Sequence, residues 1–249
     1  MNKIILAGIF LCCVCCMPLT QAAAQDDVGN ASAVSQIIKE TKPTATTPYT
    51  IALAFYKLSR QAPNFDSWVK QKDSYKNANP FDQPSMLADM TQKMKQDYND
   101  LMLTEPLTVV TQVTLAPYDA KNQGFFVESF KGSTFFPVQF AGQSYAIVPQ
   151  DITDKQWLKM DDPETAKAIE AAANGNNQVL SMVLMLIPKY ADPSAAATID
   201  GETYWPIVAE VKKMMLYPPD NSPNKDSMLW QSSVDANDKN YQSIINLRQ

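Results

Sequence analysis

The chain has 249 residues, with 21 basic and 26 acidic side chains, no histidine and only four cysteines: Cys12, Cys13, Cys15 and Cys16. Without histidine there is no Ser-His-Asp triad or Cys-His pair, and beyond Cys16 there is no imidazole or thiolate for a zinc, copper, non-haem iron or haem site. Seven glycines, none spaced as G-x-G-x-x-G or as a P-loop, exclude those nucleotide-binding routes.

The first 24 residues have the pattern of a secretory signal peptide. Lys3 precedes an apolar run over residues 4–17, and Ala22 and Ala24 form an A-x-A cleavage motif. The run is shorter than the roughly 20 residues that span a bilayer. We therefore expect cleavage after Ala24 and a periplasmic or secreted chain that starts at Gln25, with no transmembrane span.

The cysteine cluster leaves alternatives open. A lipoprotein is cut just before a cysteine that follows a small residue, whereas here Leu11, Cys12, Val14 and Cys15 precede the four cysteines. Lipidation is thus the less favoured alternative, and a soft-metal site within the leader is less favoured still. If the leader is removed, the mature chain has no cysteine and must fold without disulfides.

The charge balance bears on partners. Loss of Lys3 with the leader takes the net charge from −5 to −6, and Arg60 and Arg248 are the only arginines. Basic patches rich in arginine are typical of nucleic-acid binding, so nucleic acid and anionic membrane surfaces are poor candidates.

Helices are predicted first along the chain. Residues 25–47 are expected to be a flexible N-terminal arm, and Thr47-Pro48 predicts the N-cap and first residue of a buried helix that ends before Pro63. A second helix is predicted over residues 66–76 and a third from Ser85. The third carries an apolar stripe that favours core packing over a binding groove, formed by Leu87, Met90, Met94, Tyr98 and Leu101.

Short strands follow from Leu107. LTVVTQVTL alternates in polarity, and GFFVESF, TFFPVQF and SYAIV are aromatic and β-branched runs between turns, typical of an antiparallel meander. Asp162-Pro163 starts a helix over residues 163–173. VLSMVLMLI predicts a strand buried on both faces, and the Asp200-Gly201 pair predicts a hairpin.

One later segment is ambiguous. IVAEVKKMMLY, residues 207–217, fits a helix or a strand. FAGQSYAIV and IDGETYWPIV share the order apolar, any residue, Gly, Gln or Glu, Ser or Thr, Tyr and then Ile-Val. This is either a duplicated hairpin or chance, and it favours the strand.

The expected fold class is α+β: helices over residues 48–104, then a mainly antiparallel sheet over residues 105–217 with one inserted helix, in a single domain. Residues 218–249 are expected to be a loop-rich tail.

Two motifs resemble a known family. W-V-x5-Y-x2-A-x2-F-D, from Trp68 to Asp82, and L-x2-Y-D-x4-G-F, from Leu115 to Phe125, together with the helix that follows the first, resemble a family of uncharacterised exported bacterial proteins, a domain of unknown function. The similarity extends over most of the mature chain. It implies a bacterial envelope setting and no chemistry, so no functional residue is carried over.

An enzyme would have to use carboxylates. Asp119 and Glu128 are a candidate acid and nucleophile for a glycan hydrolase, and Trp157 and Trp205 are candidates for stacking on sugars. Asp151 and Asp154 are further carboxylates to test. With 26 acidic residues such pairs arise readily, and tryptophans usually lie in the core.

Other sites are weaker. DANDKN, residues 235–240, lacks the glycine and the final glutamate of a calcium loop. SVDANDK and SFKGS lack the S-x-x-K spacing of Ser-Lys hydrolases.

The sequence thus names no catalytic residue, cofactor or metal ligand. It favours a non-catalytic module that binds a protein or an envelope component, with the carboxylate hydrolase as the alternative.

Overall fold

The computed structural model describes residues 44–175, 178–219 and 225–232. Four helices come first: α1 Pro48–Leu58, α2 Phe65–Gln71, α3 Asp73–Lys76 and α4 Gln83–Asp100. The remaining elements are β1 Leu107–Thr114, β2 Gly124–Phe126, β3 Phe136–Phe140, β4 Gln143–Pro149, β5 Trp157–Lys159, α5 Pro163–Asn174, β6 Val179–Ala191, β7 Ala197–Ile199, β8 Glu202–Tyr217 and β9 Trp230–Gln231. The leader, the arm up to residue 43 and the segments DANDKN and SVDANDK lie outside the described residues.

Helix α1 begins as predicted. The Thr47 hydroxyl accepts a hydrogen bond from the Thr50 N–H at 3.2 Å, and Pro48 occupies the first turn, where its missing N–H has no consequence. Five consecutive residues from Ile51 to Phe55 are buried, because α1 packs between the sheet and the other helices. Its all-round apolar sequence reflects this position.

The single helix predicted over residues 66–76 is wrong. Lys72 has extended backbone angles (φ −71°, ψ 137°), so the helical hydrogen-bond ladder stops there and a short helix restarts at Asp73. Asn64 caps the first piece by accepting from the Ser67 N–H at 3.0 Å. The break turns Tyr75 back toward the core, against which it packs.

Helix α4 buries its apolar stripe as core. Met94 is 3% exposed, and the other predicted stripe residues pack partly buried against the same core. The end of α4 is fixed from α1: the Lys57 ammonium donates to the backbone carbonyls of Tyr98 (2.9 Å), Asn99 (2.8 Å) and Leu101 (2.6 Å). A cation there also complements the negative end of the helix dipole.

The α+β class is confirmed, and the main sheet, in which most pairings are antiparallel, is mixed rather than simply antiparallel. The central strands have the order β1-β6-β8-β4-β3, and β4 runs parallel to β8, which makes the sheet mixed and nearly barrel-like. A parallel pair needs a long connection. Here the chain between β4 and β8 supplies it, because it contains α5 and β6.

Strand β8 settles the ambiguous segment. It continues to Tyr217 and pairs with β6 on one side and with β4 and then β9 on the other. Leu180 to Leu184 of β6 are all buried, which confirms a strand covered on both faces. Helix α5 also lies where the sequence predicts, capped by Asp162, whose carboxylate accepts from the N–H groups of Glu164 and Thr165.

The two similar segments form similar hairpins. Ala141-Gly142 and Asp200-Gly201 each join two strands, and all four residues have positive φ, as a type I′ turn requires. The hairpins lie side by side, with Ile147 beside Ile207 on their parallel inner strands. A short contact joins them, because the Ser144 hydroxyl donates to the Glu202 carboxylate.

The segment GFFVESF was predicted as part of the meander, and this is wrong. Only Gly124–Phe126 is a strand, and it pairs with β5 in a separate two-stranded sheet. The pairing leaves Phe125 and Leu158 buried on the inner face. Strand β5 itself was not predicted.

Within the described residues, no helix is both long enough and apolar enough to cross a membrane.

Candidate functional site

Asp119, the first candidate acid, shapes a turn. Its carboxylate accepts hydrogen bonds from the backbone N–H groups of Lys121 (2.8 Å) and Asn122 (3.0 Å) and from the Asn122 side-chain amide (2.6 Å). The hydrogen bonds from Asn122 and then Lys121 hold the pKa of the Asp119 carboxyl below its ordinary value. Such a carboxylate stays ionised and suits the holding of a loop better than proton transfer.

Glu128, its proposed partner, lies too far away to act with it. Asp119 pairs with Gly124, and Leu115 pairs with Val127, so Glu128 lies in the turn after β2, four residues along the chain from the residue opposite Asp119. At about 3.3 Å per residue the backbones at the two positions are roughly 13 Å apart. Paired glycosidase carboxylates are about 5–10 Å apart. Glu128 is exposed and is not brought together with Asp119.

Asp151 precedes a short 3-10 turn over Ile152–Lys155, and Asp154 lies within it. The Asp151 carboxylate accepts from the backbone N–H of Val211 at 3.0 Å and lies 4.0 Å from the Lys155 ammonium. It therefore ties this turn to β8. Asp154 is exposed, and its backbone N–H closes the turn onto Asp151.

The two candidate tryptophans do different things. Trp205 packs against the Phe55 ring at 5.9 Å between centroids, in an edge-to-face geometry typical of a core. Trp157 lies on the separate two-stranded sheet, and 37% of it is exposed. The predicted pair of sugar-stacking tryptophans is not assembled, and Trp157 alone is available to a ligand.

Strands β2 and β5 form what we call the ribbon. Phe126 is directly opposite Trp157, and Gly124 is directly opposite Lys159, so these four residues share the outward side. Phe126 is 40% exposed. We call the outward side chains of Phe126, Trp157 and Lys159 the aromatic face. It places two large apolar rings at the surface beside a lysine.

The inner side of the ribbon is buried, which fixes the position of its two strands. Its inner residues Phe125 and Leu158 are 1% and 0% exposed, and the Phe125 ring contacts the Tyr118 ring at 5.2 Å between centroids. The turn shaped by Asp119 ends at Gln123, whose φ of 53° turns the chain into β2. Trp157 lies close over Gly124, where a side chain of any size would meet the indole. The aromatic face is therefore positioned before any partner arrives.

Two other charged clusters have structural roles. Glu202 accepts from Ser144, from Tyr204 at 2.8 Å and from Gln139 at 2.6 Å, and these hydrogen bonds lower its pKa. They join the two hairpins.

Glu210 is held between two lysines on neighbouring strands. Its carboxylate oxygens lie 2.6 Å from the Lys189 ammonium and 2.5 Å from the Lys212 ammonium. Burial raises the pKa of Glu210, but the hydrogen bonds from the two lysines outweigh it and leave the pKa below its ordinary value. The one carboxylate is thereby paired with both ammonium groups within the sheet.

In the described ranges no three acidic side chains converge as a metal site would require. The sequence drew attention to Trp157 as one of a pair. It missed Phe126 and Gly124, and the signal that would have found them is the pairing of GFF with WLK, which no local pattern contains.

Comparison of the chain with models of known families, with curated proteins and with solved structures finds no match. The resemblance to an exported family of unknown function stays a prediction.

Proposed function

We propose that this chain is an exported, non-catalytic binding module that contacts a protein or an envelope component through its aromatic face. The observation that carries the proposal is the exposure of Phe126 and Trp157 side by side on a rigid ribbon. Tryptophan and other aromatic residues are the commonest anchors of binding interfaces, because they offer large contact area at low entropy cost.

The positions of the carboxylates give no comparable support to the alternative function, a carboxylate-dependent glycan hydrolase. Asp119 and Asp151 are engaged with backbone N–H groups, and Glu128 lies in the turn after β2, away from Asp119. A glycan hydrolase needs two carboxyl groups that face one bond. The export part of the proposal rests on Lys3, the apolar run over residues 4–17 and the Ala22-x-Ala24 motif.

The test compares matched variants in a quantitative pull-down from envelope extract, using the full mature chain as bait. We expect Trp157→Ala and Phe126→Ala each to reduce capture of the wild-type partner by about 30-fold, since an interface anchor contributes about 2 kcal/mol or more. Tyr190→Ala is the control, because Tyr190 is also exposed, at 55%, but lies on β6.

Substitutions of exposed carboxylates test the hydrolase alternative in the same pull-down. Glu128→Gln and Asp154→Asn should change capture by less than about fivefold, because exposed charges contribute under about 1 kcal/mol. Asp119 is unsuitable here, since its loss would disturb the turn that leads into β2. Full capture by Trp157→Ala and Phe126→Ala, with loss on Glu128→Gln, would overturn the binding-module proposal.

A further inference from the structure

The ladder of the ribbon fixes the direction of each backbone group. Asp119 and Gly124 exchange two hydrogen bonds, of 2.9 and 3.3 Å, and the N–H of Ala116 donates to the carbonyl of Phe126 at 2.9 Å. The backbone polar groups of Gly124 and Phe126 therefore point away from β5. Because these groups alternate along a strand, those of Phe125 point toward β5 and bond to its opposite residue, Leu158.

The same alternation leaves the outer edge of β5 open. The N–H and C=O groups of Trp157 and Lys159 point away from β2. The Lys159 carbonyl accepts from the Trp230 indole N–H at 3.2 Å, which closes one end of this edge. Within residues 44–175, 178–219 and 225–232, the Trp157 N–H, the Trp157 carbonyl and the Lys159 N–H have no hydrogen-bond partner.

The two long edges of the main sheet are treated differently. Pro137 on β3 lies opposite Ala146, and Phe140 and Gln143 close the hairpin, so the outward position at Pro137 lacks an N–H altogether. On β1, Thr46 bonds to both backbone groups of Thr108 near one end of the strand, and Ser129 and Glu128 bond to those of Thr114 at the other end. Proteins block sheet edges in these ways to prevent unwanted pairing. The edge of β5 has no proline, only its Lys159 carbonyl is bonded, and it borders the aromatic face.

The size of the aromatic face limits the partner. Two rings about 40% exposed offer on the order of 150 Å², since a whole aromatic side chain buries about 150–250 Å². A stable interface between two folded surfaces needs about 800 Å² from each partner. An extended segment obtains its affinity from backbone hydrogen bonds and one or two side-chain contacts, so it fits a site of this size.

We propose that the outer edge of β5 binds an extended polypeptide segment, which adds to the ribbon as a further strand. Its backbone bonds to the Trp157 N–H, the Trp157 carbonyl and the Lys159 N–H, and one of its apolar side chains packs on Trp157. This names the partner class for the aromatic face, and so it rests on the proposed function.

Proline at position 159 tests the edge selectively. Lys159→Pro removes an outward N–H and leaves the bonds between β2 and β5 in place, because Lys159 donates nothing to β2. Lys159→Ala is the matched control, since it removes the same ammonium and keeps the N–H. The probe is a displayed library of random twelve-residue peptides selected against the full mature chain, and binding of the selected peptides is measured by titration.

We expect the selected peptides to bind Lys159→Pro at least about tenfold more weakly than Lys159→Ala, and to bind Trp157→Ala at least about tenfold more weakly than wild type. Amide exchange on the wild-type protein gives a second readout that does not depend on how Lys159→Pro folds. Bound peptide should slow exchange at the Trp157 and Lys159 amides.

Three outcomes would overturn the inference: no enriched peptide, binding indifferent to proline at 159, or unchanged exchange at both amides. The soluble oligomer of N-acetylglucosamine serves as a second probe. If it binds in a Trp157-dependent manner while no peptide does, the strand-addition inference is wrong and the proposed function of the aromatic face stands. If neither Trp157→Ala nor Phe126→Ala affects capture from the envelope extract, the proposed function itself is wrong.

Discussion

The indole of Trp157 lies so close over Gly124 that a β-carbon at position 124 would be 2.9 Å from the indole Nε1 and Cε2 atoms. The same β-carbon would be 2.5 Å from the backbone carbonyl oxygen of Leu158, which cannot move without disturbing the ladder. Glycine at 124 therefore sets both the spacing of the ribbon and the position of the ring that we propose binds the partner.

Gly124→Ala is predicted to destabilise the protein by about 1–3 kcal/mol, the usual cost of inserting a methyl group into a close-packed site. It should also displace Trp157, which tryptophan fluorescence would report. Thermal unfolding gives the stability change. Gly132→Ala is the control, because nothing lies within 4 Å of a β-carbon there. Equal stability of the two variants would contradict the close contact at Gly124.

Lys57→Met is predicted to destabilise the protein by about 1.5–3 kcal/mol. It removes an ammonium that donates to three carbonyls at the end of α4, and hydrogen bonds that involve a charged group contribute about that much. Methionine keeps most of the side-chain volume. Chemical denaturation measures the loss.

Lys95→Met provides the comparison for Lys57, because Lys95 lies exposed on α4 itself. Surface charges there contribute under about 0.5 kcal/mol. If both lysine variants lose the same stability, the capping role of Lys57 is wrong.

The surroundings of Tyr145 predict how the stability of the folded protein changes at alkaline pH. Its hydroxyl donates to the Gln143 side-chain oxygen at 2.9 Å, and Tyr56 donates to the same oxygen at 3.0 Å. Burial, together with the neighbouring Tyr56, raises the pKa of the Tyr145 phenol well above its ordinary value near 10. The native state thus holds this proton more tightly than the unfolded state does.

The sign of the effect follows from that difference. The contribution of Tyr145 is fully present below about pH 10 and is lost as the pH rises toward the folded-state pKa. Tyr145→Phe should cost about 1 kcal/mol at pH 7, from one lost hydrogen bond, and should make the fall in melting temperature above pH 10 less steep. Tyr190→Phe, on an exposed tyrosine, should leave that slope unchanged.

Export is predicted to yield a chain that starts at Gln25, because Ala22-x-Ala24 directly precedes it. Intact mass of the exported protein checks this. Substitution of both Ala22 and Ala24 by leucine should retain the leader in the measured mass. A mass that corresponds to a start at one of the four cysteines plus lipid would instead establish the lipoprotein alternative.

Local sequence patterns predicted most of the individual elements. Thr47-Pro48 and Asp162-Pro163 mark helix starts because the cap and the proline act within one turn of their own position. Asp200-Gly201 marks a hairpin because its backbone angles are a local property of the two residues. The lack of histidine is also a property of the sequence alone. It excludes histidine-dependent catalysis and metal binding whatever fold the chain adopts.

Only the tertiary structure decided which strands are neighbours. Nothing in either segment shows that β4 runs parallel to β8, because that pairing depends on how the intervening chain packs over the sheet. For the same reason residues 207–217 stayed ambiguous: β6 and β4 supply the partners that make the segment a strand.

The candidate site follows the same division. Trp157 was noticed from its residue type, but Gly124 and Phe126 lie more than thirty residues earlier in the chain and meet it only through the ribbon. The sequence determined which side chains are present and which kinds of catalysis and metal binding they cannot perform. The turn and bridges around Asp119 decided that Asp119 and Glu128 lie apart. Long-range pairing of β2 with β5, which no local propensity encodes, decided that Phe126 and Trp157 are brought together.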